Sequence, residues 1–324
     1  MIICLALFAC GDSRNATTGS QNSATVASSN ESASKEISVS EAEVGEILEY
    51  LSSDELEGRN TGTPGIEKAA NFIEAVFEEH GIEPYFETYR DSFEVKGIHG
   101  YNIVGFKEGT DQELKEEFII IGAHYDHIGY GKKVGTDSLA NGANDNASGT
   151  TAVLELAKHF SDVDTKRSLL FTLFSAEEMG LVGARHLSQR LKGEDLDLYV
   201  LFNIEMIGVP MEGKEYAGYL TGYELSNMAE RFNQYAGQEV LGFLPQAQEF
   251  QLFRRSDNYP FYEDFQIPAQ SISTFDFTNY DYYHHVSDEF QYMDVAHMAR
   301  LIEKMIPGIE GMANTSQREI QMKE

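Results

Sequence analysis

Apolar residues recur at helical spacing twice near the start of the folded region. Ser40 and Glu43 form a capping box, and Val44, Ile47, Leu48 and Leu51 follow on one helical face. Pro64 opens a second helix. Ile66, Ala69, Ala70, Ile73 and Phe77 form its apolar stripe, and Gly81 ends it. Farther along, the pattern alternates between two periods. Residues 118–121 (FIII), 168–174 (SLLFTLF), 198–202 (LYVLF) and 270–274 (QSIST) read as strands. Three of these are nearly continuous apolar runs, as expected of strands covered on both faces. A helix over about 148–160 presents Val153, Leu156, Ala157 and Phe160 on one face, and a last helix spans about 294–305. Strands alternating with helices predict the α/β class, as a three-layer α/β/α sandwich around a mostly parallel, mixed central sheet.

Outside those elements the composition changes. Residues 1–10 (MIICLALFAC) are a short apolar run, too short to cross a bilayer, that resembles the apolar part of a signal peptide. Its end, Leu7-Phe8-Ala9-Cys10, resembles a bacterial lipobox, in which the cysteine is lipidated. Residues 11–36, rich in Ser, Thr, Asn and Ala, bury too little apolar surface to offset their ordering entropy and read as a tether. The expected organisation is a leader over 1–10, a tether over 11–36, one domain over 37–310 and a polar tail over 311–324. These segments point to an exported lipoprotein anchored through Cys10 and facing the periplasm or the cell exterior; the alternative is a secreted form.

Charge and cysteine usage narrow the chemistry. A net charge of −29 excludes nucleic acid as a partner, because phosphate binding needs a Lys/Arg surface. The acidity reads chiefly as a solvated surface, with attraction of substrate amines as the functional alternative. The two cysteines, Cys4 and Cys10, both precede the body. A metal site in the body must therefore be built from His, Asp and Glu.

Functional groups of open α/β sheets collect beyond the carboxyl ends of the strands. There the chain offers His124 and Asp126, then Asp145 in a Gly/Asn-rich loop that leads into a helix. The next ends offer Glu177 and Glu178, Glu205, and finally His284, His285 and Asp288. Imidazoles and carboxylates suit zinc, and one carboxylate can bridge two ions. Calcium prefers all-oxygen shells and would not recruit two histidines. Adjacent side chains diverge, so one of Glu177 and Glu178 can ligate while the other faces a metal-held water and moves its proton.

The segments GAHYDHIG, GANDNASGTTAVLELA, FSAEEMGLVGAR, NIEMIG and YHHVSD, in this order, resemble the motif blocks of the co-catalytic zinc aminopeptidase family. That family includes bacterial leucyl-type aminopeptidases and glutamate carboxypeptidases. LSSDELEGRNTGTPG and Tyr101–Gly105 resemble its N-terminal part, so the likeness runs from about Val44 to Ile306. It implies two zinc ions per chain, one held by His124, Asp145 and Glu205 and the other by Asp145, Glu178 and His284. Asp145 would bridge, Glu177 would be the general base and Asp126 would orient the His124 imidazole. The Asp145–Asn146 peptide bond would be cis. His284 is preferred over His285 because its spacing to Asp288 matches the family's Tyr-His-x-x-x-Asp pattern; His285 and His127 are expected at the rim or in structural roles. Two departures are Glu205, where the family often has Asp, and Asn258, where it commonly has His at a rim contact. The implied activity is peptide-bond hydrolysis by a hydroxide shared between the metals, most simply removal of N-terminal residues. The alternatives are a carboxypeptidase, a glutaminyl cyclase-like acyltransferase and a non-catalytic binding module. Tyr282, Tyr283, Phe275 and Phe277 either line a substrate pocket or pack at strand edges.

Overall fold

The runs that alternate least in polarity form the centre of the sheet. The computed structural model describes residues 37–323; the leader, Cys10 and the tether lie outside them. The helices are α1 (Glu41–Leu51), α2 (Pro64–Glu79), α3 (Ser148–Ser161), α4 (Val182–Gly193), α5 (Met228–Ala236), α6 (Pro245–Glu249), α7 (Asn258–Phe265) and α8 (Val295–Asn314). The first strands are β1 (Glu83–Pro84), β2 (Arg90–Val95), β3 (Ile98–Lys107), β4 (Phe118–His124), β5 (Gly129–Val134) and β6 (Asp137–Ala140). The remainder are β7 (Ser168–Phe174), β8 (Leu198–Ile204), β9 (Gly218–Leu220), β10 (Leu241–Gly242) and β11 (Ala269–Ser273).

Among the described residues, one sheet runs β1-β3-β7-β4-β8-β11-β9-β10, with β2 paired to β3. The central four, β7, β4, β8 and β11, are mutually parallel, while β1, β2 and β3 join antiparallel at one edge and β9 pairs antiparallel with β11. Alternate side chains of the centre divide the core into two. Ile119, Ile121, Leu169, Phe171, Leu173, Val200 and Phe202 pack with α1, α2, α3, α5 and α8, whereas Ile120, Leu170, Phe174 and Leu201 pack with α4 and α7. Helices on both faces make the α/β/α sandwich, and they explain why β7 and β8 are buried at every position.

The ends of the last helix differ from expectation. It passes Pro307 and continues to Asn314, because Ile309, Met312 and Ala313 extend its buried stripe. The residues expected as a polar tail are also held in place. Ile320 is 2% exposed, its N–H donates to the Tyr199 hydroxyl at 2.8 Å, and Met322 bridges to Ser226. One isoleucine among polar neighbours gives no periodic signal, yet with the hydrogen bonds of Asn227 to Glu319 and Gln321 and the Arg318 ion pairs it docks the segment.

Candidate metal centre

The parallel strands end at one edge, and their ends supply the site. His124 is the last residue of β4, Glu205 follows β8, and Glu177 and Glu178 lie on the turn after β7. Asp145 comes from the loop before α3 and His284 from the loop after β11. These separate segments converge. His124 Nε2 lies 3.2 Å from Glu205 Oε1 and 3.3 Å from Asp145 Oδ1. The other oxygen of Asp145 lies 3.2 Å from His284 Nε2, which is itself 3.0 Å from Glu178 Oε2. Asp145 thus faces two donor groups with its two oxygens.

Backbone anchors hold the loop that carries Asp145. Asp288 accepts hydrogen bonds from the N–H groups of Asn144 (2.7 Å) and Asp145 (3.0 Å) and from the Tyr280 hydroxyl (2.6 Å). Asn146 donates to Ile204 O and accepts from Gly149 and Met206 N–H, which ties the loop to the end of β8. The Asp145–Asn146 peptide is cis. Gly142 sits at φ 62°, and a Cβ there would lie 2.3 Å from Asp145 O, so only glycine fits. Below the loop Arg59 is fully buried and donates to the carbonyls of Leu51, Tyr125, Asn141 and Gly142. Burial lowers its pKa to about 10, against the pull of Asp288, Asp126, Asp145 and Glu178, so it stays cationic at neutral pH.

Several expectations are refined here. Asp126 meets the His124 ring through its backbone carbonyl, which accepts from Nδ1 at 3.0 Å and so leaves the Nε2 lone pair facing the cluster. Its carboxylate is 3.7 Å from that nitrogen; it accepts instead from Glu177 N–H at 3.1 Å and Thr61 Oγ1 at 3.3 Å. Asn258 is not at the rim but buried, donating to the Phe253 and Ala269 carbonyls and accepting from Ser271. His285 accepts from Ser287 N–H and packs against Tyr282, away from the donors. His127, expected at the rim or in a structural role, is fully buried beside Glu178. Its signal was the second histidine of GAHYDH. Arg59 likewise stands inside a quoted motif without a predicted role.

A cleft opens onto the donors, lined by His124, Asp145, Glu177, Glu205 and His284. Phe275, Phe277 and Tyr283 form part of its wall, and the Tyr283 ring stacks on His284 with centroids 4.0 Å apart. Tyr282 instead packs against Tyr280 and Tyr292.

The electrostatics suit cations. Burial opposes charge on His124, yet Glu205, Asp126 and Asp145 hold its pKa well above the ordinary range. Burial also opposes charge on His284, but Asp145 and Glu178 push it up to about 10. Asp145 is held well below the usual carboxylate range, against its burial, by His124, His284 and His127. The carboxylates around the imidazoles thus favour positive charge at this place. Glu177 behaves oppositely. Burial, then Asp257, Glu205 and Glu178 acting against His124, push it well above the usual range. A carboxyl that readily holds a proton suits proton transfer better than ligation. Two donor groups, His124/Asp145/Glu205 and His127/Asp145/Glu178, have ligand atoms close enough to share a metal ion, and their residue types fit zinc.

Sheet, loops and donor set together define the zinc-metallopeptidase class of α/β proteins. Within it, the chain belongs to peptidase family M28, whose profile matches residues 102–307. Aminopeptidase YwaD of Bacillus subtilis (strain 168) is 34% identical over 113 residues, covering 34% of this chain and 22% of the relative. Leupeptin-inactivating enzyme 1 of Streptomyces exfoliatus is 28% identical over 207 residues, covering 63% of this chain and 42% of the relative. The match thus spans less than half the length of either. The fold matches the zinc aminopeptidase BSAP from Bacillus subtilis with a TM-score of 0.69 at 14% identity, covering 87% of this chain and 97% of the other. It also matches the glutaminyl cyclase of Porphyromonas gingivalis, with a TM-score of 0.65 at 16% identity over 84% and 98% of the two chains.

Proposed function

We propose that this protein is an aminopeptidase that hydrolyses peptide bonds with two zinc ions per chain, one held by His124, Asp145 and Glu205 and the other by Asp145, Glu178 and His284. One observation carries this reading: Asp145 presents one oxygen to each donor group, at the wall of a cleft that also holds Glu177. Zinc bound there lowers the pKa of water toward about 7 and polarises a carbonyl. Glu177 takes a proton from the attacking water as the new C–O bond forms. It returns that proton to the amide nitrogen as the C–N bond breaks. The hydrogen bond from His124 Nδ1 to Asp126 O keeps the imidazole in one tautomer throughout. The carboxylates around the cleft favour an N-terminal ammonium, which supports an aminopeptidase over a carboxypeptidase.

The test is Glu177→Gln. Its zinc content should match wild type, while turnover of aminoacyl substrates falls about 10²–10⁴-fold, the usual worth of general acid–base catalysis. Near-normal turnover by the zinc-loaded variant rejects the role, and loss of zinc reassigns Glu177 as a ligand. The likeness to a glutaminyl cyclase fold favours a second reading, cyclisation of N-terminal glutamine. Metal analysis with a panel of aminoacyl, carboxy-terminal and glutaminyl substrates decides between them.

We also propose export and lipid anchoring at Cys10, supported by the apolar run before it and the Ser/Asn-rich stretch after it. Among the described residues no helix is long and apolar enough to cross a membrane, so attachment of this kind would rest on the lipid. Full-length protein should fractionate with membranes and Cys10→Ser should not; identical soluble distributions reject the anchor and leave the catalytic assignment untouched.

A further inference from the structure

His127 lies on the loop leaving β4, three residues past His124, and its side chain is fully buried. Its backbone N–H donates to Arg59 O at 3.3 Å. The ring lies over Gly142, where a Cβ would come within 2.5 Å of the imidazole Cγ, so the glycine makes room for it. Nδ1 is 2.9 Å from Glu178 Oε1 and 3.7 Å from Asp145 Oδ2. The His284 ring approaches the same two carboxylates from another direction, with centroids 5.7 Å apart and planes at 69°.

A histidine buried for structural reasons is normally hydrogen-bonded. Nε2 of His127 has no hydrogen-bonding partner, and Nδ1 faces the Glu178 and Asp145 carboxylates. The ligand atoms of His127, Asp145 and Glu178 lie close enough together to share one metal ion. Four ligands 2.0–2.1 Å from a tetrahedral zinc sit about 3.3 Å apart. The separations of 2.9, 3.0, 3.2 and 3.7 Å among these groups bracket that value.

We infer that His127 is a protein ligand of the second metal ion, through Nδ1, which gives that site four donors: His127, Asp145, Glu178 and His284. The inference rests on the two-metal reading and makes the two sites unequal. The first, with His124, Asp145 and Glu205, keeps a position open, as catalytic zinc sites do. The second has the closed, four-ligand shell of a structural site. The second site therefore fills first and releases its ion last.

The test uses the full chain, stripped of metal and titrated with Co²⁺ as a spectroscopic probe. Wild type should bind two ions in two separated steps, the first with two imidazoles in its shell by X-ray absorption. His127→Ala should weaken one step by more than the roughly 10–100-fold that loss of a supporting partner costs, and leave the other unchanged. His127→Cys should acquire a thiolate-to-cobalt charge-transfer band absent from wild type, since sulfur ligates only where it can reach the ion. Unchanged affinities in His127→Ala overturn the inference while the two-metal reading stands. Weakened binding without the band in His127→Cys also overturns it, and makes His127 a hydrogen-bonding support for Glu178. A wild-type chain that takes up fewer than two ions removes the two-metal reading and the inference together.

Discussion

Asp288 acts on the Asp145 carboxylate without touching it. Its two oxygens take up the N–H groups of Asn144 and Asp145 and the Tyr280 hydroxyl, and its burial raises its pKa. Asn at this position keeps one acceptor oxygen and turns an N–H toward a backbone N–H, so the loop must shift. Asp288→Asn should lose about 10–100-fold in metal affinity, the usual effect of disturbing a ligand's support, as measured by competition with a chelating dye. Tyr280→Phe, which deletes one of the three bonds, should lose less. An Asp288→Asn chain with wild-type affinity would show that the loop holds itself. His124, Glu178 and Glu205 stand out in the sequence because each follows an apolar run whose end is recognisable, whereas Asp145, in a Gly/Asn-rich loop, and His284, after a polar and aromatic stretch, were singled out by the likeness to the family's motif blocks. His127 was not legible in the same way. Its neighbours in sequence are Asp126 and Ile128, and only the path of the loop brings its ring back against Glu178.

At the scale of elements, the edge hairpin of β2 and β3 is tied to α4 by one buried carboxylate. Asp91 lies 2.7 Å from Arg190 Nη1 and 3.3 Å from His186 Nε2, and accepts from Asn102 Nδ2 at 2.9 Å. Asn102 in turn accepts from Ser175 N–H, at the start of the turn that carries Glu177 and Glu178. Burial opposes the charge of Asp91, but His186, Arg190 and Asn102 prevail and hold its pKa below the ordinary value. A depressed pKa means stability that is fully present above the unfolded value, near 3.9, and is lost as pH falls through the folded value. Asp91→Asn should therefore destabilise by roughly 1–3 kcal/mol at pH 7, the range for loss of a charge-assisted hydrogen bond. The difference should begin to shrink below about pH 4, where Asp91 of the unfolded chain takes up its proton, and go on shrinking until the pH passes the lower folded value. Urea unfolding of both chains at pH 7 and pH 3 reads this directly, and a difference independent of pH would assign the effect to packing. The central strands were legible as apolar runs, and α1, α2, α3 and α8 from their helical spacing; α4 and α7, which cover the other face, were not read from the sequence. The hairpin of β5 and β6 and the short edge strands β9 and β10 were not legible either, because two to six residues of mixed polarity carry no period, and sheet pairing supplies what the local pattern lacks.

For the molecule as a whole, the cluster is a concentration of negative charge that folding must accommodate. Asp145, Glu177, Glu178 and Glu205 meet at the cleft, with Arg59 beneath them and the imidazoles between them. An ion that binds only the folded chain at 1,000 times its Kd adds about 4 kcal/mol of stability. For a domain of this size that is roughly 10 °C in Tm. Chelation should lower Tm by about this amount and zinc should restore it, as read by circular dichroism. A Tm indifferent to chelation would mean that the cluster is fully compensated without cations.

The dispersal of the ligands over five separate chain segments, from residue 124 to residue 284, bears on how long a molecule lasts once made. The full set comes together only once β7, β4, β8 and β11 lie in register, so ions held by all of it would grip the finished protein more than its barrier state. Interactions absent from that barrier leave the rate of folding alone and slow unfolding. Zinc should thus act as a late lock: chains would fold at much the same speed with or without it. Loaded chains would then resist unfolding, and the proteolysis that follows it, for far longer.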